Sequence, residues 1–295
     1  MIDEQIQTIQ TQDTAVADQW YHTKDQRIIA IDAHAHVFVR GLPLAQQRRH
    51  APDYDATVDA YAGHLLSNGV SHAVLVQPSF LGTDNSFFLE VAKRYPRRFR
   101  GVAVVDCAVT DHELALLDCT GVVGIRLNLV GLKLPQLTAP DWRRLFARVN
   151  ALAWHVEVHR QAVDLHAVVG PLLEQGCTVV VDHFGRPDPR TAADDPGFTY
   201  LLSLAATGRV WVKLSAAYRS ALNDDGTALG TALASRLLDA YTPARLIWGS
   251  DWPHTQHQQI VDYNATRRAL DQWVPDVVQR ESILTSSART LYRFE

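Results

Sequence analysis

Residues 28–38 read Ile28-Ile29-Ala30-Ile31-Asp32-Ala33-His34-Ala35-His36-Val37-Phe38. An apolar run, Ile28–Asp32, has the β-branched character of a buried strand and passes straight into two histidines. A dinucleotide-binding fold would place a GxGxxG turn at this point, and this turn has no glycine. No GxxxxGK[ST] loop occurs elsewhere in the chain. The first strand therefore ends in groups that do acid–base or metal chemistry, not in a phosphate cradle.

Working outward, the same pattern recurs. Further strands are expected at His72–Ser79, Arg100–Val105, Val122–Asn128, His155–His159, Thr178–His183, Val210–Ser215 and Leu246–Ser250. Most are continuous apolar runs, as parallel strands covered on both faces require. Helical stretches are expected near 55–68, 84–94, 111–118, 141–153, 162–175, 197–207, 228–240, 257–273 and 276–290, with Asp84 and Asp141 as N-caps and Gly69 and Gly176 as stops. Eight strand–helix units predict an α/β fold of the closed (β/α)8 TIM-barrel type. No composition break divides residues 28–295, which read as one domain. Residues 1–27, rich in Gln, Thr and Asp, read as an N-terminal arm, either disordered or packed on the body or on another subunit.

Composition narrows the function classes. The chain has 295 residues, 47% hydrophobic and 20% charged, with a formal net charge of −4. A chain of this length hides roughly 75% of its unfolded surface, so a large core is available. The acidic balance gives no polyanion-binding surface, and no nucleic-acid partner is expected. No run reaches the ~18 apolar residues of a membrane span. The polar N-terminus lacks the basic and apolar regions of a signal peptide. Cys107, Cys119 and Cys177 are widely spaced, with neither CxxC spacing nor a disulfide framework. A cytoplasmic location is the expectation.

In such a barrel the active site gathers where the strands end. In chain order those ends offer His34 and His36, Gln77 and Ser79, Asp106, Arg126 and Asn128, His159 and Arg160, His183, Lys213 and Ser215, and Asp251. Burying so many polar groups separately would be costly, so a shared polar site is expected. His34 and His36 lie at i and i+2 of an extended chain, side by side. With His159 and Asp251 they form a set suited to one zinc or manganese ion; without an ion they are histidines hydrogen-bonded at a strand end. Asp251, before Trp252-Pro253, is placed to ligate an ion or to act as a general base. His183 ends its strand before a Gly-Arg-Pro turn. Arg126 sits inside an apolar strand, where a guanidinium needs a reason. With Arg186 and Arg219 it could clamp substrate carboxylates. Tyr54, Ser79, Thr83 and Tyr218 are candidate hydroxyl donors to the same ligand.

Taken together, IDAHAHVF (31–38), VLVQPSFLGTDNSFFLEVAKRYP (74–96), GIRLN (124–128), VDHFGRP (181–187) and WGSDWPH (248–254) resemble the amidohydrolase superfamily. Within it, the chain is similar to the TIM-barrel lactone hydrolases, the pyrone-dicarboxylate lactonase group. The likeness spans about residues 28–292. It implies that His34, His36, His159 and Asp251 hold a metal where one is bound, and that His183 polarises the substrate. It also implies that Arg126, Arg186 and Arg219 bind carboxylates, with Tyr54 and Ser79 as further contacts. Because the pyrone-dicarboxylate lactonase is thought to work without a metal, the resemblance leaves open one divalent cation or none. No lysine stands where two-metal members carry a bridging ligand; Lys213 lies on the seventh strand. The expected reaction is opening of a small carboxylated lactone (pyrone-dicarboxylate-like, muconolactone-like or a sugar lactone). Asp251 acts as general base, and His183, His34 and His36 polarise the carbonyl. The alternatives are a zinc-dependent decarboxylase of an aromatic or muconate-type acid, a lactone isomerase, or a barrel that binds without turnover. The expected partner is the small carboxylated substrate, with a homodimer as the expected assembly and no membrane.

Overall fold

The computed structural model describes residues 17–23 and 27–295 (for 223–225, the backbone). Eight strands follow in order: β1 (Ile31–Ala35), β2 (His72–Val76), β3 (Phe99–Ala103), β4 (Val122–Asn128), β5 (His155–His159), β6 (Thr178–Val181), β7 (Val210–Leu214) and β8 (Leu246–Trp248). Each pairs in parallel with the next in sequence, and helices fill every crossover. This is the expected (β/α)8 barrel. Among the described residues no helix is long and apolar enough to cross a membrane.

Six strands shift from the sequence reading: β3 runs Phe99–Ala103, β7 ends at Leu214 and β8 at Trp248, and the shifts of β1, β2 and β6 each have a local reason. β1 starts at Ile31 because pairing with β2 begins at Ile31 opposite His72. Ile28 and Ile29 precede it, with the Ile29 amide donating to Ser71 Oγ at 2.9 Å. β2 stops at Val76, two residues before Pro78, which has no N–H for a ladder. β6 stops at Val181 because His183, Phe184, Gly185 and Arg186 all have positive φ. The caps shift as well. Asn85 is the cap residue of helix Ser86–Arg94, with Asp84 Oδ1 accepting the Ser86 amide at 3.1 Å. Asp141 lies in the first turn of helix Pro140–Ala151, after Pro140, whose fixed φ suits the first helical position. Gly69 and Gly176 have the positive φ expected of helix stops.

The barrel closes through the residues after β8. Ser250 N donates to Asp32 Oδ1 at 2.8 Å, Asp251 N to the His34 carbonyl at 2.8 Å, and His36 N to the Trp252 carbonyl at 2.8 Å. Gly249 permits this approach: a Cβ there would lie 2.6 Å from His34 Cβ. The seam thus fixes His34, His36 and Asp251 relative to one another.

Alternation along the strands sorts side chains into two apolar clusters. Val179, Val181, Val212 and Leu214 face the helices in the larger one. Ile31, Val74, Val102, Val123, Val180, Trp211 and Ile247 form a second, joined by Tyr292 and Phe294 from the C-terminal segment. Glu157 on β5, Asp182 directly after β6 and Lys213 on β7 are also fully buried. Part of the N-terminal arm packs on the body. Residues 17–22 are helical, Trp20 Nε1 donates to the Val70 carbonyl at 2.7 Å, and the Tyr21 ring stacks on Tyr95 at 4.0 Å. The reading of residues 1–16 and 24–26 as arm lies outside the described residues.

Candidate active site

Asp251 is the centre of the site, and its two oxygens have different surroundings. Oδ2 accepts from the Tyr218 hydroxyl and from Arg219 Nε. Oδ1 faces three imidazole Nε2 atoms, those of His34 at 3.7 Å, His36 at 3.8 Å and His183 at 3.8 Å. Burial disfavours the charged carboxylate, yet the Arg219 guanidinium and the surrounding imidazoles hold Asp251 well below the usual carboxylate range. Asp251 is therefore ionised at neutral pH, with one oxygen locked and one directed at the rings.

The rings hold few charges of their own. Burial pushes His183 and His159 well below the usual imidazole value, and His36 to about 3. His36 Nδ1 lies 2.7 Å from the Val76 carbonyl, which can only accept. That nitrogen carries the proton, and Nε2 presents a lone pair. His183 Nδ1 lies 2.8 Å from Ser215 Oγ. The Nε2 atoms of His34, His159 and His183, and Oδ1 of Asp251, are buried without a hydrogen-bond partner among the described residues. Orphaned polar atoms converging on one point mark where water or a ligand binds.

The backbone here is costly as well. His183, Phe184 and Arg186 after β6, Ala216 after β7, and Asp251 and His254 after β8 are left-handed non-glycine residues. Each such residue costs ~1 kcal/mol or more and persists only where its surroundings impose it. The Trp252–Pro253 peptide is cis.

Above Asp251 opens a cavity of about 180 Å³ lined by His36, His159, His183, Ser79, Asn128 and four arginines, Arg49, Arg126, Arg186 and Arg219. The arginines are not equivalent. Arg126 donates Nε and Nη2 to Asp182 Oδ2 at 3.2 and 3.1 Å, and Arg219 donates Nε to Asp251 at 2.6 Å. Arg186 donates to a carbonyl (Arg219, 2.8 Å) and Arg49 to an amide oxygen (Asn128, 3.0 Å). Among the described residues, neither Arg186 nor Arg49 has a carboxylate partner. Burial first, and then neighbouring guanidinium charge, lowers both Arg186 and Arg49. Such crowding is relieved by an anion.

The structure thus brings together His34, His36, His183, Asp251, Arg126, Arg186, Arg219 and Ser79. Tyr218 reaches the site through Asp251 and not through the cavity. Tyr54 packs edge-on against Phe38 at 5.4 Å and does not line the cavity. Thr83 is exposed and lines a separate groove with Asn85 and Leu89, because the turn after β2 points it away. Arg160 is held by Asp164 at 2.7 Å and by the carbonyls of Leu129 and Leu132, as a brace between the loops after β4 and β5. Arg49 escapes the sequence reading. Its signal is the run Gln46-Gln47-Arg48-Arg49-His50, a basic stretch in the loop after the first active-site strand.

Candidate metal-binding groups are present. His34, His36 and Asp251 bring ligand atoms within 4.8 Å of one another, as do His34, Asp182 and His183; His159 belongs to neither set. It lies beside His183, ring centroids 4.7 Å apart. His36 and Asp251 offer lone pairs. His34 does not, since Lys213 Nζ sits 2.8 Å from its Nδ1. An ammonium group can only donate, so Nδ1 accepts and the ring proton is left on Nε2, the atom a cation would need. As the rings stand, the set does not fit a cation.

Comparison with known proteins agrees with this geometry. The amidohydrolase family model matches residues 31–294. A 2-pyrone-4,6-dicarboxylate hydrolase of Comamonas testosteroni is 34% identical over 89% of this chain and 90% of its own. A 4-sulfomuconolactone hydrolase of Hydrogenophaga intermedia is 30% identical over 88% of each. A crystal structure from Acinetobacter baumannii, assigned as a 2-pyrone-4,6-dicarboxylic acid hydrolase and holding citric acid, superposes with a TM-score of 0.87 at 38% identity, over 90% of this chain and 100% of that one. A barrel whose Asp and histidines meet at its strand ends, matched over nearly its whole length, belongs to the amidohydrolase family.

Proposed function

We propose that this chain opens the ring of a small lactone carrying carboxylate groups. The observation that carries the reading is the divided environment of Asp251, one oxygen locked by Tyr218 and Arg219 and the other open to three imidazoles beneath an arginine-lined cavity. A water near Oδ1 transfers a proton to Asp251 as its oxygen attacks the lactone carbonyl. The carbonyl oxygen gathers charge and receives a hydrogen bond from the Nε2–H of His34, with the His183 ring, hydrogen-bonded to Ser215 Oγ, beside it. The ring C–O bond then breaks, and the leaving oxygen takes the proton from Asp251. The product is an open-chain hydroxy acid or its keto form, whose new carboxyl group ionises at neutral pH and releases the second water proton to solvent. No step passes through a cation.

Arg186 and Arg49 are the guanidiniums best placed to hold substrate carboxylates, with the free edges of Arg126 and Arg219 beside them. Holding those carboxylates orients the ring over Asp251 and converts binding into positioning. The citric acid in the Acinetobacter relative is a polycarboxylate, consistent with such a pocket.

Proton release by the purified protein against a panel of carboxylated lactones, pyrone-type and sugar-type together, tests this. Acid release from one subset supports the reading and chooses the substrate class. A folded protein silent across the panel overturns it. Carbon dioxide release from muconate-type acids, or a ring shift without acid release, would then mark decarboxylation or isomerisation.

A further inference from the structure

Lys213 has no role in the steps above, yet it is fully buried in the barrel directly behind His34. Its ammonium group hydrogen-bonds Glu157 Oε1 at 2.6 Å and His34 Nδ1 at 2.8 Å, with Asp182 Oδ1 as an ion-pair neighbour at 3.2 Å. On the other side of Asp182, Arg126 Nη2 lies 3.3 Å from His159 Nδ1. A guanidinium also has donors and no acceptor. Two cations therefore stand behind two of the cavity's imidazoles, each facing Nδ1. His36 is the contrast, because its Nδ1 faces a backbone carbonyl.

We propose that Lys213 and Arg126 are positioning residues that fix the tautomers of His34 and His159, holding both rings as Nε2–H donors towards the cavity. The alternative for His34, donation from Nδ1 to Asp182 Oδ1, spans 3.5 Å and loses to the shorter Lys213 contact. No change in ring charge is involved, only the choice of nitrogen. The consequence is chemical. The HxH pair is split, with His36 offering a lone pair and His34 an N–H, so one strand supplies both an acceptor for water and a donor for developing oxyanion charge. A pair that could grip a cation from the same residues is thereby set up as a hydrogen-bonding pair. The catalytic part rests on the lactone-hydrolase reading; the tautomers do not.

The test is nitrogen-15 NMR of the histidine rings at neutral pH, with His34→Gln and His159→Gln variants assigning the signals. The expected result is Nε2–H for His34 and His159, and Nδ1–H for His36. Nδ1–H at His34 or His159 in the wild-type protein overturns the proposal, whatever the protein does with lactones. Lys213→Met extends the test. His34 should switch to the Nδ1–H form, and zinc uptake in equilibrium dialysis should rise to one ion per chain, with little retained by the wild type. In substrate assays kcat should fall on the order of 100-fold with KM changed less than about threefold, the pattern of a lost oxyanion donor. Stoichiometric zinc on the wild-type protein, with His34 in the Nδ1–H form, also overturns it. If Lys213→Met leaves Glu157 and Asp182 too poorly paired to fold, the wild-type ring pattern decides the question alone. A protein that opens no lactone but shows the expected tautomers refutes the proposed function and leaves this inference standing.

Discussion

The two ends of the barrel are built on opposite terms. At the end where the strands begin, the C-terminal segment seals the interior. Phe294 packs edge-on to His72 at 5.1 Å beneath the Arg100 guanidinium, 4.7 Å from its ring. Tyr292 donates its hydroxyl to Glu157 Oε1 at 3.1 Å. At the end where the strands finish, left-handed residues cluster, the Nε2 atoms of His34, His159, His183 and His254 and Oδ1 of Asp251 lack hydrogen-bond partners among the described residues, and guanidiniums crowd one cavity. One end closes over its polar groups, leaving, among the described residues, His155 Nε2 and Glu157 Oε2 as isolated unpaired atoms beside Tyr292. The other gathers its unpaired atoms around one cavity, and its conformation is held by the closed end and by the seam between β1 and β8. Strain and the clustering of orphaned polar atoms around a cavity locate function here better than burial does, since both ends are buried.

Predictions that break or sharpen this contrast can be ranked. Replacing Asp251 by Asn should remove the base and keep the shape. A kcat loss of roughly 10³- to 10⁴-fold is expected, with binding of a carboxylated ligand by calorimetry largely retained. Turnover near the wild-type level would take Asp251 out of the mechanism. At the closed end, Phe294→Ala should cost about 3 kcal/mol of stability, a fall of roughly 6–12 °C in Tm, while kcat of the folded enzyme stays put. A large kcat change there would show that the two ends are not separate. Arg186→Met should weaken binding of a carboxylated ligand roughly 10- to 100-fold, the value of a charge-assisted hydrogen bond, and flatten the salt dependence of KM. An unchanged KM would mean that Arg186 never meets substrate.

The smallest effect is in pH. Burial lowers His72 at the closed end and His254 at the open end to about 4. In the unfolded chain both return to ~6.5. Between ~6.5 and about 4 the unfolded state binds more protons, so stability falls as pH falls through that window. Tm should drop by several degrees from pH 7 to pH 4.5, and His72→Asn should reduce the drop if packing is kept. A Tm that rises on acidification would contradict the sign.

The barrel was legible because its strands are continuous apolar runs and its punctuation is local. β4 and β5 coincide with the sequence reading to the residue. Where boundaries moved, the cause was a neighbour or a backbone conformation, as in the left-handed run His183–Arg186. The site was partly legible, since polar residues at the ends of apolar strands stand out. Arg219 illustrates the limit. Its position near the end of β7 marks it as a carboxylate ligand, and the carboxylate it meets through Nε belongs to Asp251. Arg49, on a loop with no periodicity, and Thr83, turned outward by a short turn, could not be placed by spacing.

What the sequence by itself determined is therefore the repeating βα unit and the list of groups at its strand ends, because hydrophobic period and residue type are properties of the chain. What only the tertiary structure decided is pairing across the barrel: which oxygen of Asp251 is locked, which arginines lack a carboxylate, and which nitrogen of His34 faces Lys213. These depend on contacts between residues far apart in the chain, as with Lys213 and His34, 179 positions apart. Hydrogen-bond donors and acceptors act only over about 3 Å, so until the chain closes the barrel, nothing local assigns one to another.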